Sequence, residues 1–240
     1  MTVPLIRLTA VEVRKLADTR AGMWLLILIG LGTAGTSAVL LGWAPDEELT
    51  FASFFAFGLV PSAALLPVLG ILSMTGEWSQ RTALTTFALV PARLRVMAAK
   101  VAAGTLVAIG ATAATFLVAA AANLLAGGGA WRIPVSLVWQ AVLLEVLFVV
   151  MGMGFGALLL SSPLAIVAYF ALPTVWSVLG GAIRALHDVA RWLDLDVTTA
   201  PLSEPSMTPL QYGRLTVSAL VWVLLPLAVG CWRVRRREVN

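Results

Sequence analysis

Six long stretches of this chain carry almost no charged side chains, and this feature limits most strongly how it can fold. Each stretch has the roughly 20 mostly apolar residues that a helix needs to cross a bilayer. Only 12% of the 240 residues are charged and 60% are hydrophobic, whereas about a quarter of an average soluble domain is charged. The sequence therefore predicts an all-α integral membrane protein with spans at about 22–42, 51–74, 101–125, 135–160, 163–183 and 214–232.

The segments between the spans are short, which predicts one transmembrane domain over residues 1–240. The net charge of +4 collects at the ends of the spans, so membrane topology explains it and no nucleic-acid partner is predicted. The chain has one cysteine, Cys231, and one histidine, His187. An intramolecular disulfide is therefore impossible, and no metal site is predicted.

Two amphipathic segments accompany the spans. Residues 5–19 place apolar and basic side chains on opposite faces of a helix, which is typical of a helix in the membrane interface. A frayed basic tail is the alternative. The apolar stretch that follows is too long for the core of a signal peptide and is interpreted as a retained first span. In the polar segment 184–213, one or two short helices are predicted, either capping a translocation path or forming a structured loop.

The basic residues are distributed unequally between the two sides of the predicted bundle. With six spans, four basic residues fall on one side: Arg132, Arg184, Arg191 and Arg214. The other 12 of the 16 fall on the side that holds both termini. Basic residues near span ends favour the cytoplasmic face. The sequence therefore predicts that both termini are cytoplasmic and that segment 184–213 lies outside.

The chain lacks the groups that nucleotide hydrolysis requires. A phosphate-binding P-loop needs Gly-x-x-x-x-Gly-Lys-Ser/Thr, and neither of the two lysines, Lys15 and Lys100, completes that pattern. His187 lies in the outer polar segment and is interpreted as a surface residue. No catalytic residues are predicted, so any ATP-driven role requires a separate ATPase subunit.

Two features inside the fourth predicted span bear on packing and transport. Glu145 lies about ten residues into the span, roughly 15 Å deep at 1.5 Å per residue. A central acid costs about 3 kcal/mol on insertion scales, so Glu145 should face protein or water. It either belongs to a translocation path or proton site, or is a protonated acid bonded to a neighbouring helix. Gly152 and Gly156 have the small-xxx-small spacing that permits close helix packing.

The longest polar stretch of the first half, 75–100, carries a specific order of residues. Glu77 lies near the end of the second span, and it is followed by Arg81-Thr82, a Leu-rich turn from Leu84 to Leu89, Pro91-Ala92-Arg93 and Lys100. This order resembles the first cytoplasmic loop of ABC-2-type transporter permeases, especially actinobacterial ones. Arg81 stands where many members have glycine. The layout of the whole chain, with its N-terminal helix and six spans, is similar to that family as well.

The resemblance implies a function for the stretch. In that family the loop forms a coupling helix that docks on a separate P-loop ATPase, in a complex of two permease chains and two ATPases. ATP and Mg would bind to the ATPase and no cofactor to this chain, which would lie in a bacterial cytoplasmic membrane. The residues expected to take part in coupling are Glu77, Trp78, Arg81, Thr82, Phe87, Pro91 and Arg93. Arg95 and Lys100 are interpreted as ordinary positive charges at a span end.

The sequence is also compatible with two other functions. A proton-coupled secondary transporter would use Glu145, and a membrane subunit without transport activity would need no site. A permease would move a hydrophobic or lipid-like substrate, since the spans contain few polar side chains.

Overall fold

The structure is a computed structural model, and it describes residues 4–80 and 92–236. Within these ranges the secondary structure is helical, without strands. Six helical segments are long and apolar enough to cross a membrane: Arg20–Trp43, Phe51–Ser79, Arg93–Leu125, Val135–Leu159, Ser162–Ala182 and Pro209–Arg236. The chain is an all-α, multi-pass membrane protein, in agreement with the sequence prediction.

The helices are numbered in chain order. They are α1 (Leu5–Asp18), α2 (Arg20–Trp43), α3 (Phe51–Gly58), α4 (Val60–Ser79), α5 (Arg93–Leu125), α6 (Val135–Leu159), α7 (Ser162–Ala182), α8 (His187–Leu193), α9 (Leu195–Thr199), α10 (Pro209–Ala219) and α11 (Leu225–Arg236). Helices α3 and α4 together form the second span. Helices α10 and α11, joined by a π-helical turn at Leu220–Leu224, form the sixth.

The predicted boundaries differ from the observed ones mainly around the polar stretch. The sequence interpretation placed 75–100 between spans, but α4 continues to Ser79 and α5 already begins at Arg93. The charged residues at these helix ends are accommodated because they pair with one another, as described below. The outer polar segment, predicted as 184–213, is also shorter, since α10 begins at Pro209.

The second span is interrupted at Leu59, between α3 and α4. Pro61 lies in the first turn of α4, where its missing N–H costs no hydrogen bond, and Pro67 lies inside the helix. Thr33 of α2 donates its hydroxyl to the Gly58 carbonyl at 3.0 Å. A neighbouring helix thus satisfies a carbonyl at the interruption, which irregular backbone inside a membrane requires.

Helix α6 is the central helix of the bundle. Its apolar window is 56% buried, more than that of any other span in the part of the chain described. It packs most extensively against α4 and α11. Glycines make the α4 contact close: a Cβ added to Gly70 would lie 2.6 Å from the Val149 carbonyl, and one added to Gly156 would lie 2.9 Å from the Ile71 carbonyl. Gly152 lies directly against the Pro67 carbonyl.

Both described ends of the chain lie at the same end of the bundle, here called the basic end. There the Arg93 guanidinium donates to the Val234 carbonyl at 2.9 Å, and that of Arg233 donates to the Leu158 carbonyl at 2.6 Å. The opposite end holds α8 and α9, where the Trp222 indole donates to the Leu193 carbonyl at 2.7 Å. A cytoplasmic location of the basic end stays a prediction, as does an interfacial position for α1.

We expect Gly152→Ala to lower the thermal unfolding temperature of the purified protein in detergent, because the added methyl group meets the Pro67 carbonyl. Overpacking of this kind costs about 1–3 kcal/mol. Gly110→Ala is the matched control: nothing lies within 4 Å of a Cβ at Gly110 in α5, and alanine has the higher helix propensity. An unchanged unfolding temperature for Gly152→Ala would contradict the close packing of α4 and α6.

Candidate functional site

Four charged side chains meet at the basic end, where α1, α4 and α5 come together. Glu12 and Lys15 come from α1, Glu77 from the last turn of α4 and Lys100 from the second turn of α5. Lys15 Nζ lies 2.7 Å from Glu12 Oε1 and 3.0 Å from Glu77 Oε1. Lys100 Nζ lies 2.7 Å from Glu12 Oε2 and 3.3 Å from Glu77 Oε1. These four residues are called the ion cluster.

The ammonium group of Lys100 is the buried centre of the ion cluster. Its side chain is 4% exposed. It donates to both carboxylates and also to the Ser73 carbonyl of α4 at 3.1 Å. An ammonium group has three N–H donors, so these three acceptors satisfy Lys100 completely. A buried charge is tolerated only when it is paired and hydrogen-bonded in this way.

Helix α1 reaches the ion cluster because its buried side is partly polar. Thr9, Glu12 and Leu16 are its buried residues, and their spacing places them on one face of the helix. Glu12 bridges the two lysines by using one carboxylate oxygen for each. The carboxylates and ammonium groups balance in number, so the ion cluster carries no net charge.

Lys15 forms the solvent-facing edge of the ion cluster, with 42% of its side chain exposed. Partial burial lowers the pKa of Lys15, but hydrogen bonds and attraction to Glu12 and Glu77 outweigh that effect and hold the pKa above its ordinary value of 10.5. A raised lysine pKa adds stability that is complete at neutral pH and is lost only as pH rises through the raised value. The Lys15 contribution is therefore constant over the physiological range.

The structure brings some of the predicted coupling residues together. Glu77 belongs to the ion cluster, and the half-buried Trp78 packs in an apolar cluster with Met74, Val96 and Val234. Arg93 bonds to the last helix. Arg81, Thr82, Phe87 and Pro91 lie outside the described residues.

The interpretation of Lys100 as an ordinary positive charge at a span end is wrong. Lys100 is buried and paired, in contrast to the ordinary span-end charge that the positive-inside pattern predicts. Glu12 and Lys15 were also missed as site residues. The sequence near them offers one indication of a site, which is that Glu12 is an acid on the mainly apolar side of the amphipathic helix.

No protein-family model matches this chain, and no curated protein matches it either. Its function must therefore be inferred from its own residues and their geometry.

Glu145 forms a second polar site, fully buried in α6. Its Oε1 lies 2.6 Å from the hydroxyl of Ser62, which lies 2.9 Å from the Leu59 carbonyl at the interruption of the second span. The Ser62 hydroxyl donates to Glu145 Oε1, and the Leu59 carbonyl is a second acceptor near the same hydroxyl. The other carboxyl oxygen, Oε2, is buried and has no hydrogen-bond partner among the described residues.

His187 lies on the surface in the opposite end of the bundle, with its Nε2 3.2 Å from the Gly181 carbonyl. In the described ranges, no group of three or more His, Cys, Asp or Glu side chains could hold a metal ion. The ion cluster and Glu145 are the polar sites of the described residues on which the proposed function is argued.

We expect Lys100→Met to destabilise the protein by about 3–5 kcal/mol, because it leaves two carboxylates without their buried partner. Lys15→Met should cost clearly less, since Lys15 is 42% exposed and water replaces its contacts. Thermal unfolding of both variants in the same detergent measures the difference. Adding Glu12→Gln to Lys100→Met should recover part of the loss. Equal losses for the two lysine variants would contradict the central role of Lys100.

Proposed function

We propose that this chain is the transmembrane permease subunit of an ATP-driven exporter of the ABC-2 type. A separate P-loop ATPase supplies the energy, and a second copy of this chain or a related permease completes the complex. Residues 80–92 are called the coupling segment, and the observation that carries the proposal is the ion cluster beside its two ends. It joins α4 and α5, the two helices that flank residues 80–92, and joins both to α1.

The position of the ion cluster allows a force on the coupling segment to be transmitted to the helices that flank it. Glu77 lies two residues before the end of α4, and Lys100 lies in the second turn of α5. A force applied to the segment between them therefore acts on three connected helices together. Helix α4 then carries the displacement to α6 through the close contacts at Gly70, Gly152 and Gly156. Closely packed helices transmit such shifts because their interfaces deform little.

The distribution of charge supports the orientation of the proposed complex. The positive-inside rule predicts that the basic end faces the cytoplasm, the side on which the proposed ATPase would bind the coupling segment. ATP and Mg bind to the ATPase subunit in this proposal. The substrate is hydrophobic or lipid-like, since the spans offer few polar side chains, and the membrane is the bacterial cytoplasmic membrane.

Glu145 favours a second candidate function, a proton-coupled secondary transporter. A buried carboxyl group beside an interrupted helix is the kind of group that carries protons in such proteins. Two internal repeats with broken helices are typical of that class, but the sequence contains no convincing repeat. The ATP-driven function is therefore preferred.

We expect an ATPase encoded beside this chain to co-purify with it, and Arg81→Ala to weaken both the co-purification and the stimulation of ATP hydrolysis. Arg81 is chosen because Glu77 also stabilises the fold through the ion cluster. Arg132→Ala is the matched control, because Arg132 lies at the opposite end of the bundle. Retained binding and coupling in the Arg81→Ala protein would contradict the assignment of the coupling segment. A complex whose ATP hydrolysis is unaffected by this chain would favour a subunit without transport activity.

We expect Glu145→Gln to leave the unfolding temperature and ATP-driven transport close to those of the wild type. Glutamine keeps the length of the side chain and an oxygen that accepts from the Ser62 hydroxyl. Glu145→Ala should lower stability by about 2–5 kcal/mol, because it creates a cavity in the core of the bundle. Transport measured in proteoliposomes with and without a pH gradient separates the two candidate functions. Loss of pH-driven uptake in Glu145→Gln would support the proton-coupled transporter.

A further inference from the structure

A cavity of about 760 Å³ lies beside the ion cluster at the basic end. Its volume falls within the range of about 300–1,000 Å³ that is typical of small-molecule sites. The cavity lies between the end of α1, the start of α2 and the second half of α4, and it extends to Lys100 of α5 and Ser162 of α7. Nothing in the proposed ATP-driven function requires this space, so its chemistry calls for a separate explanation.

The charges around the cavity favour an anion. Glu12 and Glu77 line it, but both carboxylates are already paired with Lys15 and Lys100. Arg20 is the remaining charged residue of the lining, and it forms no salt bridge with any carboxylate in residues 4–80 and 92–236. Three basic residues against two acids leave one positive charge in excess.

Neutral donors reinforce this preference. Arg20 and Ala21 are the first residues of α2, where backbone N–H groups have no helical acceptor and the helix dipole favours negative charge. The Ser73 hydroxyl, also in the cavity lining, is buried without a hydrogen-bond partner among the described residues. Arginine together with amide and hydroxyl donors is a combination that binds phosphate groups.

The deeper wall of the cavity is apolar. Leu16 and Leu69 are buried, and Leu72 is half-buried. Leu69 lies ten residues before the end of α4, which corresponds to a depth of about 15 Å at 1.5 Å per residue. Arg20, in contrast, is the first residue of its span. The polar and apolar parts thus follow the same order as the headgroup and acyl chains of a phospholipid.

We propose that this cavity binds an anionic phospholipid, with the phosphate at Arg20 and the start of α2 and the first acyl carbons against Leu16 and Leu69. The shared chemistry is that of a phosphate anion, and the apolar wall selects a lipid over free phosphate. The bound lipid connects the start of α2 to α4 beside the ion cluster. This site does not depend on the ATP-driven function, because binding occurs without the ATPase.

Native mass spectrometry of the full chain, purified in detergent and titrated with defined lipids, tests the proposal. Phosphatidylglycerol should remain bound under conditions that remove phosphatidylcholine with the same acyl chains. Arg20→Gln should weaken phosphatidylglycerol binding roughly fivefold, the effect of one basic residue on an anionic lipid. Arg7→Gln is the matched control, since Arg7 is an exposed residue of α1 outside the cavity lining and should leave the affinity unchanged.

A second pair of variants tests the cavity without changing any charge. Gly76 lines the cavity, and nothing lies within 4 Å of a Cβ added there, so Gly76→Leu should fill the space and displace the lipid. Gly110→Leu is the control, because Gly110 is equally open but lies outside the cavity lining. Unfolding temperatures show that both variants are folded.

Three outcomes would overturn the proposal. The first is equal retention of the two lipids, and the second is phosphatidylglycerol binding that both Arg20→Gln and Gly76→Leu leave intact. The third is displacement of phosphatidylglycerol by inorganic phosphate alone, which would assign the cavity to free phosphate. Phosphatidylglycerol binding that resists inorganic phosphate and is lost in Gly76→Leu would support the lipid site.

Discussion

The buried ammonium group of Lys100 is the constraint on which the arrangement of α1, α4 and α5 depends. A charged lysine inside a membrane protein is costly unless acids and carbonyls surround it. Here one carboxylate comes from α1, and a second carboxylate and a carbonyl come from α4. The three helices must therefore approach within hydrogen-bonding distance of a single point. The cavity beside that point is lined by Thr19, where α1 turns into α2, and by residues of the ion cluster.

The interior of the bundle is held together differently, mainly without charge. Helix α6 approaches α4 through glycines and backbone carbonyls, and Glu145 meets Ser62 at the interruption of the second span. These contacts lie among apolar side chains, where dispersion and a few hydrogen bonds replace the hydrophobic effect between helices. The molecule thus combines an ionic junction at its basic end with a closely packed, neutral interior. Helix α4 belongs to both regions, because it carries Glu77 of the ion cluster and packs against α6 in the interior.

Local patterns in the sequence predicted the fold class but only part of the site. A run of about 20 apolar residues is a local signal, so six spans were predicted correctly. Glu145 and the two glycines were recognised because polar and small residues are unusual inside a span. The ion cluster was not predicted, because Glu12 and Lys100 are 88 positions apart and no local pattern connects them. The hydrogen bond from Thr33 of α2 to the Gly58 carbonyl at the interruption was likewise not predicted, because it joins residues 25 positions apart.

The separation between Glu12 and Lys100 also has a consequence for how the chain is assembled during synthesis. Helix α1 leaves the ribosome before α4 and α5, yet its two lysine–carboxylate bridges to later helices require residues 77 and 100. Until the third span is made, Glu12 has only Lys15 as a partner, and the polar side of α1 must remain in contact with water or headgroups. The complete ion cluster can therefore form only after the second and third spans have been made. In a chain that ended before Lys100, only the pair of Lys15 with Glu77 would remain of the two ionic bridges from α1 to later helices.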